Sequence, residues 1–285
     1  MALGHAVNLI PPAHVKPYVR RNKTDAADAV AICEAAMRPG QRFVALRSID
    51  NQAAVMRHRI REQLVGQRTA LLNALRGHLS EIGLVAAQGA QHAYRLKRML
   101  ADGADENGEI MIPERVRVVL APLAAQIDAL DQAIAAIDDK LIETVKADEK
   151  ARRLMTIPGV GPVIATAVVA TVGEVSSFAS GREFAAFLGL TPRQHSSGGK
   201  ERLGRITKMG DRYLRKLLVV GATTVLHHAI GHNDSLRRWA RQMLKRKGGR
   251  AGFKLTAVAL ANKLARIVFA VLRSGEVYDD RPVAA

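Results

Sequence analysis

Between Val116 and Leu141 the apolar positions Val116, Leu120, Leu123, Ile127, Leu130, Ile134, Ile137 and Leu141 recur in steps of four and three. Sustained over nearly four heptads, that spacing predicts a long helix after Pro113 with a coiled-coil seam. Such a seam can pair across subunits or pack an amphipathic helix on its own domain. The first reading is favoured, so self-association through residues 116–141 is expected. Upstream, the run from Ala6 to Ile10, stopped by Pro11 and Pro12, reads as the end of a strand. Thr24 reads as the N-cap of a helix running through Ala26, Ala29, Val30 and Ile32 to the stop at Pro39-Gly40. A long helix, rich in Arg, Gln and Leu, is expected from about Ile49 to Glu81.

The segment 83–108 is rich in Ala, Gly and Gln and weakly patterned, so it reads as a linker or mobile insertion. After Leu154 the stretch IPGVGPVIATAVVATVG sets Gly159 and Gly161 before an apolar helix. Free N–H groups at that helix start can face a phosphate, as in helix-hairpin-helix modules, although glycines also serve plain tight packing. Further helices are predicted over 181–189, 208–230, 234–247 and 253–273. The division expected is 1–82, 83–150 and 151–285, in a mainly α chain.

Composition sharpens this picture. A chain of 285 residues, 48% apolar and 24% charged, can bury a core and is not a disordered polymer. A lone Cys33 excludes a disulfide framework and suits a reducing cytoplasm. No charge-free 18-residue apolar run predicts a membrane span, and the start MALGHAVNLIPP lacks the pattern of a secretory leader. The net charge is +17, and between Arg193 and Lys254 there are 16 Lys/Arg against three acids. Such a concentration points to a polyanionic partner, nucleic acid above all, rather than to a merely solvated basic face. Aromatic residues make up only 4%, so phosphate contact is expected rather than base-stacking platforms.

Two places could carry chemistry. In RRNKTDAADA (20–29), Asp25 and Asp28 stand three apart and share a helix face. Paired carboxylates of this kind make half of a magnesium site for phosphoryl transfer, and nothing before Asp25 is acidic. In LGLTPRQHSSGGKERLGRITKMGDRYLRKLL, Ser196 and Ser197 precede Gly198-Gly199 amid Arg193, Lys200, Arg202, Arg205 and Lys208. Guanidinium and ammonium groups there could bind phosphate and stabilise developing charge, while a Ser-Ser-Gly-Gly run could equally be a plain turn. His195 could be a base or simply solvated. His228 and His232 have i, i+4 spacing, but no Cys or acid completes a metal set beside them. Trp239 among Arg237, Arg238 and Arg241 reads as a core anchor with a basic outer face, and Cys33 as helix packing.

KTDAADA, IPGVGP and FAAFLGLTPRQHSSGGKERLGRITKMGDRYLRKLL, in this order, resemble the DEDD-type transposases of insertion sequences, specifically the IS-one-ten family and its IS-eleven-eleven subgroup. The resemblance spans essentially the whole chain. It implies a RuvC-like domain of RNase-H fold with four magnesium-binding acids, a coiled coil, and a second domain bearing a serine nucleophile. Asp25 and Asp28 would be the third and fourth acids, and Ser197 the residue forming a covalent serine–DNA phosphodiester. Gly159, Gly161, Arg193, Lys200, Arg202, Arg205 and Lys208 would contact DNA. The resemblance also implies Mg2+, oligomers, and a guide RNA from the same element. The first Asp and the Glu have no counterparts here, so a truncated RuvC-like remnant is expected. Two activities follow as alternatives: DNA cleavage and rejoining in transposition, or a catalytically inactive nucleic-acid-binding remnant.

Overall fold

The computed structural model describes residues 4–5, 7–19, 24–41, 43–44, 46–105, 107–173, 175–200, 202–229, 232 and 234–280. The chain divides into two compact units, residues 1–53 and 54–285.

In the first unit, α1 (Pro12–Val15) leads through a 3-10 turn to α2 (Asp25–Met37). Thr24 caps α2 as expected, its Oγ1 accepting from Ala27 N at 3.2 Å. Only Ala31 and Ala35 of α2 are fully buried. The strand expected over Ala6 to Ile10 is corrected: Ala6 lies outside the described residues, and among the described ones the run pairs only through an antiparallel bridge from Leu9 to Val44. No sheet of RNase-H type is seen among the described residues of this unit. Cys33 is corrected too, being exposed rather than packed.

The second unit is helical and holds two apolar cores. Within it, α3 (Ile49–Ser80, whose first turn belongs to the first unit) runs antiparallel to α5 (Glu114–Ala147). The pairing is read from Arg57–Thr144, Arg61–Asp138 and Arg68–Asp131, whose partners descend along α5 as they ascend along α3. Arg61 meets Asp138 with two parallel hydrogen bonds, of 2.5 and 3.0 Å. Leu72, Leu75 and Leu79 of α3 join Leu120 and Ile127 of α5 in the smaller core. Five of the eight seam residues, Leu120, Ile127, Leu130, Ile134 and Leu141, are thus buried within this one chain. Most of the seam therefore packs within the chain, while Val116, Leu123 and Ile137 are only half-buried.

The segment 83–108 is corrected as well. It contains α4 (Ala90–Asp102), which buries Ala93, Leu96, Met99 and Leu100 in the same core and ends at Gly103 in the left-handed conformation. Its i, i+3, i+7 pattern is genuine but short, flanked by residues of turn composition.

The larger core is built by α6 (Glu149–Leu154), α7 (Pro162–Val172), α8 (Gly181–Phe187), α9 (Arg212–His227), α10 (Ser235–Lys247) and α11 (Gly249–Ser274). Helix α11 is its axis, burying Leu260, Leu264 and Val268 completely against α8, α9 and α10. By length and composition α5 and α11 could cross a membrane. Half of the apolar stretch of α11 is instead buried in this core, and α5 carries the aspartates paired with α3. Between α8 and α9 runs a feature absent from the predicted elements: a hairpin of β1 (Pro192–Gln194) and β2 (Leu203–Ile206).

Candidate active site and nucleic-acid interface

The hairpin is rooted firmly and exposed at its tip. At its base Thr207 N donates to Thr191 O (2.9 Å) and Lys208 N to Gly189 O (3.1 Å). Arg215 Nη1 donates to the carbonyls of Leu188 (3.0 Å) and Met209 (2.8 Å), and Asn262 Nδ2 to Leu190 O (3.1 Å). These contacts anchor both ends of the hairpin to α9 and α11. Lys208 is the sole non-glycine with positive φ (57°) among the described residues, a strained backbone at the exit of β2.

At the tip, Lys200 N donates to Ser197 O at 3.1 Å around Gly198 (φ 56°) and Gly199 (φ 75°). Two consecutive positive φ values are those of a type I′ turn, whose twist matches a hairpin and for which glycine carries no side-chain penalty. Next to it His195 N donates to Arg202 O at 2.8 Å. Side chains alternate across paired strands, so His195, Arg202, Ser197 and Lys200 project from one face. Arg193 shares that face by alternation with His195. A register shift between the two strand pairs brings Arg205 to it, one residue from the Pro192–Ile206 pair. Gly204 leaves room for the His195 ring, which a side chain there would meet at 3.0 Å.

Four of the sequence-nominated cations therefore share the face that carries Ser197, all exposed, with Arg193 Nη2 also donating to Thr207 O (3.3 Å) at the hairpin base. The two serines differ sharply. Ser196 Oγ accepts from Arg202 N at 3.1 Å and is spent on the turn. No hydrogen bond among the described residues holds the Ser197 hydroxyl, which stands at the edge of the cationic face.

The helix-hairpin-helix glycines part company. Gly159 (φ 83°) lies so close to α9 that an added Cβ would stand 2.6 Å from Gly221 O and from Val225 Cγ2. Its role is close packing, which supports the plain reading of this glycine. Gly161, the N-cap of α7, has open space where a Cβ would be. It leaves the N–H groups at the start of α7 accessible to an anion.

On α2, Asp28 is half-buried on the stripe that continues into Ala31 and Ala35, while Asp25 is exposed one turn earlier. Among the described residues no third His, Cys, Asp or Glu joins them in a metal-ligating group. Arg20 to Lys23, the basic run before them, lie outside the described residues. Of the histidines, the His227 ring packs on Phe253, centroids 5.1 Å apart. Trp239 is half-buried beneath the Lys263 ammonium, 4.9 Å from the ring centroid.

Sequence reasoning missed a buried group beside the site. His58 on α3 is 3% exposed and its Nδ1 lies 3.3 Å from the Tyr213 hydroxyl at the start of α9. Burial, reinforced by the charges of Arg61 and Arg57, lowers the His58 pKa to about 4. Burial pushes the Tyr213 phenol up to about 12. Both groups are neutral near pH 7 and brace the helix that follows the hairpin.

Comparison with known proteins covers both parts of the chain. Residues 151–239, containing the hairpin, match the model of the transposase IS116/IS110/IS902 family. Residues 1–84 match a second model described as a transposase, of the DEDD type. A probable family 20 transposase of Pseudomonas aeruginosa is 42% identical over 97% of this chain and 80% of its own length. The transposase for insertion sequence element IS1111A of Coxiella burnetii is 41% identical, over 98% of this chain and 74% of the relative. The pilin gene-inverting protein of Moraxella bovis is 30% identical over 48% of this chain and 41% of its own.

Proposed function

The chain belongs to the IS116/IS110/IS902 family of insertion-sequence transposases, and from that membership we propose that it cuts and rejoins DNA through Ser197. One observation carries the reading: the Ser197 hydroxyl, free of hydrogen bonds to described residues, stands at an exposed hairpin tip on the same face as Arg193, Lys200, Arg202 and Arg205. A phosphodiester held by these cations would have its non-bridging charge neutralised where a pentavalent transition state adds more. The Ser197 oxygen attacks phosphorus, the bond to one deoxyribose oxygen breaks, and the serine proton is given up as the leaving hydroxyl gains one. Attack by a different deoxyribose hydroxyl reverses the step and rejoins DNA without an external energy source.

Magnesium is the metal expected with a DEDD-type centre. Asp25 and Asp28 supply two hard carboxylate oxygens on one helix turn, and the described residues add no third. These residues do not by themselves fit a two-metal centre. That shortfall favours a second reading, in which the chain grips nucleic acid without cutting it. A guide RNA from the same element belongs to the first reading. So does self-association, which we place on the outer face of α5, where Val118 and Val119 are 63% and 74% exposed.

The deciding experiment incubates the full chain with DNA of its own element, the element's RNA and Mg2+, and looks for protein–DNA adducts stable to denaturant. Adducts lost in Ser197→Ala establish the cutting reaction. Salt-sensitive DNA retention with no adduct leaves the binding-only reading.

A further inference from the structure

A second cationic site lies away from the hairpin face. Between the start of α8, the middle of α10 and the outer side of α11 is an open cleft of about 680 Å³. Its polar lining is Ser180, Arg182, Asn262, Lys263 and Arg266, with Trp239 and Ile267 on the apolar wall. No acidic side chain lines it. Arg182, Lys263 and Arg266 make no ion pair with any described residue, whereas many basic residues elsewhere in the fold are paired. Burial, then the neighbouring Arg266, lowers the Lys263 pKa below the ordinary lysine value, against a smaller opposing pull from Asp280. The acid that acts most on Lys263 is Asp280. That carboxylate is already engaged by Ser235 N (3.0 Å), Ser235 Oγ (2.5 Å) and the Tyr278 hydroxyl (3.2 Å).

We propose that this cleft binds a single strand of nucleic acid, with phosphates on Arg182, Lys263 and Arg266 and an unpaired base against Trp239. Three cations lining one cleft with no acidic partner among the described residues call for a polyanion with repeated charge rather than one small anion. A half-buried indole in a recess is reached by an unpaired base but not by the stacked bases of a duplex. Lys263 already lies over that ring, and an incoming phosphate would draw the ammonium off it and free the ring for stacking. Asn262 adds amide hydrogen bonding and joins the cleft to the root of the hairpin through Leu190 O. This inference does not require Ser197 to be a nucleophile.

Trp239 is the chain's only tryptophan, so its fluorescence reports this cleft and nothing else. The full chain is titrated with oligothymidylate and with oligouridylate of about 12 nucleotides, with fluorescence anisotropy of a labelled strand followed in parallel. The expected result is a saturable change in tryptophan emission that tracks anisotropy and is reversed by salt. The K263Q/R266Q double variant should weaken affinity at least about tenfold, two lost phosphate contacts, while circular dichroism stays unchanged. The hairpin variant R193Q/R202Q should leave the emission change intact, which separates the cleft from the Ser197 site. The ratio of the two affinities tells whether the strand is DNA or RNA, and a preference either way supports the site. Strands that bind by anisotropy without altering emission would overturn it, as would no binding at all. So would an equal emission change with pyrophosphate or polyglutamate that the oligonucleotides cannot displace.

Discussion

The Nδ1 of His58 and the hydroxyl of Tyr213 lie 3.3 Å apart and tie the N-terminal third of α3 to the first turn of α9, the helix after the Ser197 hairpin. Neighbouring Arg61 pairs with Asp138 on α5, so three helices meet here. Tyr213→Phe keeps the ring but removes the hydroxyl, leaving a buried imidazole nitrogen without that partner. The expected cost is about 1–2 kcal/mol, measured by urea unfolding at neutral pH.

The same histidine gives stability a pH dependence. Its folded pKa of about 4 lies below the ordinary value of 6.5, so between these two values the unfolded chain binds more protons than the folded one. Stability contributed by neutral His58 is therefore fully present above pH 6.5 and is lost as pH falls towards 4. The full loss is on the order of 3 kcal/mol. Denaturation midpoints should drop between pH 7 and pH 4.5, and His58→Gln should flatten that slope. An unchanged slope in the variant would remove His58 as its source.

How much of this was legible in the sequence depends on the range of the interactions involved. Helix α2 announces itself locally, through the Thr24 cap at one end and Pro39-Gly40 at the other. The hairpin does not, because Arg193, Gln194 and His195 are polar on both faces and offer no alternation. The Gly-Gly pair was its one available signal, since consecutive glycines between short strands suit a type I′ turn. Helix α4 was hidden because only four inward residues mark it, between Gly89 and Gly103. The heptads of α5 correctly indicated a helix with an apolar seam, but spacing alone cannot say whether the partner is another copy or α3. His58 and Tyr213 are 155 positions apart, beyond the reach of any local pattern. Ser197 and its cations were legible as a cluster. Which of the two serines is free emerged only from the Ser196–Arg202 hydrogen bond.

The seam and the outer face of α5 should respond differently to substitution. Ile127→Ala removes a fully buried side chain from the smaller core and should cost about 2–4 kcal/mol, read as a lower urea midpoint. Val118→Glu, on the exposed side, should leave that midpoint within about 0.5 kcal/mol and shift sedimentation towards the monomer. Equal destabilisation by both variants would place Val118 in the fold rather than at an interface.

The glycines of the IPGVGP turn allow packing and phosphate binding to be separated. Gly159→Ala must place a Cβ 2.6 Å from Gly221 O while holding φ at 83°, where side chains are disfavoured. Left-handed strain of roughly 1–2 kcal/mol and overpacking of about 1–3 kcal/mol add, because neither α7 nor α9 can withdraw without exposing core. The variant should unfold at distinctly lower urea concentration. Gly161→Ala meets open space at ordinary backbone angles, so its unfolding should match the parent chain. If the N–H groups behind Gly161 hold a phosphate, the added methyl crowds the approach and weakens DNA retention at unchanged stability. Retention equal to the parent, with stability also equal, would strip this turn of any part in nucleic-acid binding and leave the cationic hairpin to carry it.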